Sequence, residues 1–297
     1  MGGLISGFRV LICVVALAVL ACRQPGPRPH GLVVVDDAGD SVTVRVPATR
    51  VVSLIPASTE LLFAIGAGPA VVGRSEWCDY PPAVSAVPDL GAGIGPNLEA
   101  VLAVRPDLVV LYNSAQHAAV ASRLRGLGIA AIRVNTDAFA DVPRIGRLLG
   151  RLTGHQREAD SMSAVFDTAL AAATVDSGAA GRPTVLLLVW EQPPMTVGRG
   201  SFLSELVERA GGRNLFADVA SSSGPVSIEA VSVRDPDLIL TTAAGPANFA
   251  TRPEWQAVRA VREKRFLAVS GSRYDRPGPR SPAAIRALAG RLRELAR

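Results

Sequence analysis

The chain has 297 residues, with 31 Lys and Arg against 26 Asp and Glu and a formal net charge of +5. That excess does not point to a nucleic-acid partner, because Lys264 is the one lysine and the arginines are scattered among acids instead of massed on one stretch. Three cysteines (Cys13, Cys22, Cys78) and three unpaired histidines (His30, His117, His155) argue against a disulfide framework and against a bare-metal site.

Near its start, Arg9 is followed by an apolar run from Val10 to Ala21. This suits the core of a signal peptide and falls short of the roughly 20 residues of a spanning helix. Residues 1–21 are therefore expected to be removed. The Pro/Gly-rich stretch 22–31 reads as a flexible tether. LVVVDDAGDSVTVRV (Leu32–Val46) alternates around an Asp-Ala-Gly-Asp turn, which predicts a β-hairpin. RVVSLI (Arg50–Ile55) predicts a strand covered on both faces, with Ser58 capping the helix that carries Glu60. Further strands are expected at Ala70–Gly73, Asp107–Tyr112 and Ala130–Val134, with a helix over His117–Leu127. From residue 138 the pattern turns helical, first over Ala138–Leu152 and then over a longer helix from His155 to Thr174. TVLLLVW (Thr184–Trp190) opens a second set of strands and helices. The expected boundaries are 32–137 for an N-terminal α/β lobe, 138–176 for a helical linker and 177–297 for a C-terminal α/β lobe.

Two stretches repeat without a gap: NLEAVLAVRPDLVVL (Asn97–Leu111) and SIEAVSVRDPDLILT (Ser227–Thr241). Each has a helix cap, a glutamate two residues on (Glu99, Glu229), a short apolar helix and a Pro-Asp-Leu step into a strand. STELLFAIGAG (Ser58–Gly68) and FLSELVERAGG (Phe202–Gly212) form a looser echo containing Glu60 and Glu205, both assigned to packing and capping. A repeat this long predicts twin lobes rather than a solenoid. The fold class is α/β, with two Rossmann-like lobes bridged by one long α-helix and a ligand cleft between them. A helical bridge resists bending, so closing motions should be small.

Four segments in this order, RVVSLIPASTELLFAIGAG, WCDYPP (Trp77–Pro82), GPNLEAVLAVRPDLVV and RPGPR (Arg276–Arg280), resemble the helical-backbone substrate-binding proteins of ABC importers. VLAC (Val19–Cys22) resembles the bacterial lipobox, whose cysteine carries the lipid. The resemblance implies capture of cobalamin, an iron–siderophore or haem. It also implies delivery to a permease dimer driven by a cytoplasmic ATPase, from a position anchored to the envelope through Cys22. Matching glutamates in that family meet permease arginines, which assigns docking to Glu99 and Glu229; each could equally serve only the dipole of its helix.

Loops after the sheet strands should line the cleft, which nominates Trp77, Tyr80, Tyr112, Trp190 and Tyr274 among only 14 aromatic residues. Trp255 is assigned to the core. Arg74, Arg199 and Arg273 are candidates to face anionic groups of a ferric chelate. Cobalamin binders of the family tend to carry a tryptophan six residues before the first docking glutamate, where this chain has Gly93. WCDYPP lies nearest the cobalamin branch, so a corrinoid is placed ahead of siderophore and haem as the bound ligand, with no separate cofactor and no metal ligands. His117 is read as a solvated helix-end residue, with axial coordination of a ligand metal as the alternative. No G-x-S-x-G elbow or P-loop is present, and GAGIG (Gly91–Gly95) follows a proline-rich loop, so catalysis is not expected.

Overall fold

The computed structural model describes residues 30–175, 181–242 and 247–295. The predicted signal segment, Cys22 and the tether as far as residue 29 lie outside the described residues.

The first two strands, β1 (His30–Val35) and β2 (Ser41–Val46), form the expected hairpin, two residues longer at its start than the alternation suggested. Its turn is built on Asp36, whose Oδ1 accepts the backbone N–H groups of Ala38 and Asp40 at 3.0 Å. The other oxygen pairs with Arg125 at 2.8 Å, which also meets Asp40, so the hairpin is clamped to the first lobe.

The first lobe holds β3 (Val51–Ser53), β4 (Val71–Arg74), β5 (Leu108–Tyr112) and β6 (Ala130–Val134) in a parallel sheet ordered β4-β3-β5-β6. In the second lobe β8 (Trp190–Glu191), β9 (Pro194–Val197) and β11 (Ser223–Pro225) make a small antiparallel sheet. The main sheet there is β10-β7-β12-β13, formed by β7 (Thr184–Leu188), β10 (Arg213–Asn214), β12 (Leu238–Thr241) and β13 (Phe266–Ala268), again parallel. Numbered within their own lobes, both sheets run 2-1-3-4. The repeat seen in the sequence is thus a repeat of topology.

The repeated Pro-Asp-Leu step has a structural purpose beyond punctuating helix and strand. Asp107 accepts the backbone N–H and hydroxyl of Thr49 at 2.9 and 3.1 Å, and Arg50 N–H at 3.0 Å. Its counterpart Asp237 accepts the N–H and hydroxyl of Thr184, both at 2.8 Å. In each lobe this carboxylate ties the third strand to the start of the first. The residues just before the prolines, Arg105 and Asp235, both take left-handed backbone angles, φ 46° and 45°, to make the turn.

Helices cover both faces of each sheet. In the first lobe these are α1 (Pro56–Ala64), α2 (Leu98–Ala103) and α3 (Ala115–Gly126). The linker is α4 (Asp141–Thr153) and α5 (Gln156–Ala173), an antiparallel pair close to the predicted spans. The second lobe adds α6 (Phe202–Arg209), α7 (Ile228–Arg234), α8 (Arg259–Arg262), α9 (Ser272–Asp275) and α10 (Ser281–Leu295). At 1.5 Å per residue α5 is about 27 Å long.

Successive residues of each strand face different cores. Leu108 and Val110 of β5, with Val185 and Leu187 of β7, belong to one continuous cluster that runs through the linker helices and into both lobes. Val109 and Leu111 face a second cluster confined to the first lobe, and Leu186 and Leu188 a third confined to the second, around Trp255. The shared central core packs the lobes into one apolar body, which favours limited relative motion.

Two local expectations are corrected. Ser58 does not cap α1: the helix starts at Pro56 after Ile55, and the Ser58 hydroxyl lies buried without a hydrogen-bond partner among the described residues. Proline at the first helical position starts the helix without a side-chain cap. His117 is not solvated but 3% exposed. Its Nε2 donates to the Gly93 carbonyl at 2.7 Å, and its Nδ1 pairs with the Ser114 hydroxyl at 3.0 Å. Both ring nitrogens are occupied inside the protein.

Candidate functional site

In a sheet ordered 2-1-3-4, the loops leaving the first and third strands diverge and open a crevice at the strands' carboxyl ends. Such a crevice is present. A cleft of about 570 Å³ is lined by Ile55, Pro56 and Ala57 after β3, Glu76, Trp77 and Asp79 after β4, and Thr136 after β6. Its opposite wall is Ser272, Asp275 and Arg276, in and just after α9. A larger hollow of about 700 Å³ lies between α5 and α10, away from the strand ends, so the inter-lobe cleft is the better candidate.

The RPGPR loop joins the two walls. Arg280 makes a two-pronged pair with Glu60 of α1, Nε to Oε1 at 2.8 Å and Nη2 to Oε2 at 2.9 Å, while Nη2 also reaches the Ser272 hydroxyl at 2.9 Å. Its guanidinium lies 3.8 Å from the centre of the Tyr80 ring. Glu60 is 3% exposed, so the pair is a buried inter-lobe tie. A side chain at Gly278 would place its Cβ 3.2 Å from the Glu60 carboxylate, which explains the glycine between the two prolines. Arg276 reaches across the cleft to Asp79. Desolvation is the largest influence on Asp79 and raises its pKa, but the hydrogen bond and charge of Arg276, with hydrogen bonds from Ser272 and the backbone, together outweigh it and hold the carboxyl below the usual range. Asp275 is pushed above its usual range, by desolvation first and then by the neighbouring Asp79 charge, against the pull of Arg276.

Trp77 is 46% exposed, with its ring against Gly93. A Cβ at residue 93 would lie 2.9 Å from two atoms of that ring and 2.8 Å from the Leu54 carbonyl oxygen. The Trp77 ring thus occupies the space that a side chain at position 93 would need. His117, bonded to the Gly93 carbonyl, pins the strip on which the ring rests.

Residues 51–270 match the family of periplasmic binding proteins. The chain belongs to the periplasmic binding protein family. It is 29% identical over 306 residues to the uncharacterized ABC transporter substrate-binding lipoprotein YvrC of Bacillus subtilis (strain 168), covering 96% of each chain. It is 27% identical over 251 residues to the vitamin B12-binding protein of Pectobacterium atrosepticum, covering 83% of this chain and 89% of that one. Among solved structures, the periplasmic heme-binding protein RhuT from Roseiflexus sp. RS-1 in apo form superposes with a TM-score of 0.74 at 25% identity, covering 84% of this chain and all of that one.

Set in that family's fold, the nominated residues separate. Trp77 lines the cleft. Tyr80 does not, because it is committed to the stack with Arg280. Tyr274 is only 6% exposed and belongs to the shared core. Arg74 cannot face a ligand: its guanidinium donates to the Val84 and Ser75 carbonyls and pairs with Asp89. Tyr112 donates to Asp137 at 2.8 Å, and its phenol is raised to about 12, by desolvation first and then by Asp137. Trp190 is 60% exposed on β8, its indole N–H on the Gln192 carbonyl, and it is not among the cleft-lining residues. Arg199 and Arg273 are exposed outside that lining, Arg273 lying over the Tyr274 ring.

Glu99 and Glu229 are both exposed on the first turns of α2 and α7. Asn97 accepts the Glu99 and Ala100 N–H groups, and Ser227 accepts that of Ala230, so the caps do not depend on the glutamates. Glu229's own backbone N–H, with the Ser227 hydroxyl, holds its carboxyl below the usual range. Glu60 and Glu205, assigned to packing, instead form ties. Glu205 pairs with Arg209 at 2.8 Å and accepts the Phe139 N–H from the linker at 3.4 Å. Sequence reasoning missed Glu76, Ser272, Asp275 and Arg276 as cleft residues. RPGPR was the one available signal, and it marked the loop without its contacts. Cys78 is buried among the Thr59 and Ser75 hydroxyls, a structural thiol.

Proposed function

We propose that this protein is the substrate-binding component of an ABC importer, and that it takes a cobalt corrinoid of the cobalamin type into the inter-lobe cleft. The observation that carries this reading is the half-exposed Trp77 ring standing in a cleft between the carboxyl ends of one lobe's strands and the RPGPR loop of the other. A fixed aromatic ring offers a macrocycle large contact area at little cost in side-chain freedom. A cleft of this volume takes one face of a corrinoid and leaves the remainder in solvent. The vitamin B12-binding relative supports the ligand class. Haem is the second reading, favoured by the likeness to a heme-binding structure. The family is one of binding proteins, so the ligand is held and released unchanged.

In this reading the protein is exported and tethered through lipid on Cys22. Glu99 on one lobe and Glu229 on the other dock the two permease subunits, and a cytoplasmic ATPase drives the cycle. Titration of the purified protein with cobalamin, haem and a ferric trihydroxamate, followed by tryptophan fluorescence and by recovery of intact ligand, tests it. A dissociation constant weaker than about 0.1 mM for every member, equivalent to about 5.5 kcal/mol, contradicts a receptor role.

A further inference from the structure

The cleft walls carry an uneven charge that the aromatic contacts do not explain. Three carboxylates, Glu76, Asp79 and Asp275, line it against one guanidinium, that of Arg276. Arg276 pairs with Asp79 through Nη2, which leaves Glu76 and Asp275 lining the cavity with no ion pair among the described residues. The arginines that could have supplied positive charge are elsewhere. Arg74 is tied to carbonyls and Asp89, Arg280 is spent on Glu60, and Arg199 and Arg273 lie outside the lining. Glu76 and Asp275 stand on opposite walls, so a bound ligand meets negative charge from both lobes.

From this we infer that Glu76 and Asp275 are specificity-determining residues, which make the cleft select neutral or cationic metal chelates and reject those with peripheral carboxylate or catecholate charge. The inference rests on the proposed binding-protein reading and sharpens it: a corrinoid with amide side chains passes the filter, whereas an anionic chelate of equal size does not. Specificity here comes from a repulsive element as much as from an attractive one. Asp275 is pushed above its usual range by desolvation first and only then by the Asp79 charge, which places it at the cavity wall beside another carboxylate.

The test uses two pairs of probes, each differing in one terminus. The first is a corrinoid hexa-amide ending in an amide or in a free carboxylate. The second is a ferric trihydroxamate ending in an ammonium or in its succinylated form. Whole mature protein is titrated with each by fluorescence quenching at low salt. Two partly exposed charges, each contributing up to about fivefold, predict a preference of about tenfold for the uncharged or cationic member. The double variant Glu76→Gln and Asp275→Asn keeps shape and hydrogen-bonding groups, and should narrow the preference to about twofold mainly by improving binding of the carboxylate member. Binding without a charge preference in the wild type overturns the inference and leaves the receptor reading standing. So does an unchanged preference in the variant, or an equal loss of both members. Failure of both scaffolds to bind at all overturns the receptor reading and this inference with it.

Discussion

Replacing Arg280 by alanine should destabilise the protein far more than replacing its partner Glu60. Glu60 is 3% exposed in its side chain and Arg280 is 23% exposed, so the two ends of the pair have unequal access to water. Removing Arg280 strands a desolvated carboxylate, a change that costs about 3–5 kcal/mol for a buried pair. It also removes the stack on Tyr80, worth about 0.5–1 kcal/mol at a partly wet site. Arg276, with its Nε 4.0 Å from Glu60, compensates only weakly. We expect about 4 kcal/mol for Arg280→Ala. In Glu60→Ala the guanidinium keeps its Tyr80 and Ser272 contacts and gains water, so about 2 kcal/mol is expected. Substituting methionine at both positions should cost less than Arg280→Ala alone, because no buried charge is left behind. Urea unfolding monitored by fluorescence measures all three, as changes in midpoint at constant slope. A cost below about 1 kcal/mol for Arg280→Ala, or a larger cost for Glu60→Ala, refutes the buried tie.

The matched clamps provide a second prediction. Asp107→Ala and Asp237→Ala should each cost about 1–3 kcal/mol, since each leaves strand-start donors unpaired. Desolvation raises the Asp237 pKa, but the Thr184 N–H and hydroxyl and Arg259 outweigh it, so the folded value is lowered. Its stabilisation is therefore present above the unfolded value of about 3.9 and is lost as pH falls below it, so the Asp237→Ala deficit measured by urea unfolding should shrink in acid. Tyr112 should titrate near 12 in the ultraviolet absorbance of the folded protein, and Asp137→Asn should lower that value while leaving it above 10, because desolvation is the larger cause. Reversing both Glu99 and Glu229 to arginine should abolish transport in cells while leaving ligand affinity and folding intact, because both side chains are exposed and the caps belong to Asn97 and Ser227. Normal transport by that double variant reduces the two glutamates to helix-dipole residues.

What could be read from the sequence was local or periodic. The apolar runs at Val51, Leu108, Thr184 and Leu238, the helix pair after residue 138 and the repeat itself follow from patterning, which nearby residues carry. The tie between Glu60 and Arg280 joins residues 220 positions apart, and nothing in either neighbourhood encodes the pairing. His117 misled because a histidine in the first turn of a helix is usually wet; its burial depends on the Gly93 loop folding over it. Arg74 and Tyr274 sit at the right ends of their elements for a cleft, yet which side of a loop a side chain takes is set by tertiary packing. Trp77 was legible because it follows a strand in a turn-rich segment, whereas Glu76 and Asp275 carried no pattern of their own. Ser58 shows the same limit in miniature, since Pro56 had already started the helix.

Contact between Trp77 and the ligand is what a receptor role for this cleft requires most directly. Trp77→Phe leaves Trp190 as a surface reporter and Trp255, fully buried, as a reporter of the second lobe. Equilibrium titration of the wild type and this variant with cobalamin, read by fluorescence and checked by calorimetry, is the deciding measurement. We expect tight binding by the wild type, an affinity at least about threefold weaker in the variant from the lost ring area, and loss of most of the quenching. Equal affinity and equal quenching in the two proteins would place the ligand elsewhere and contradict it.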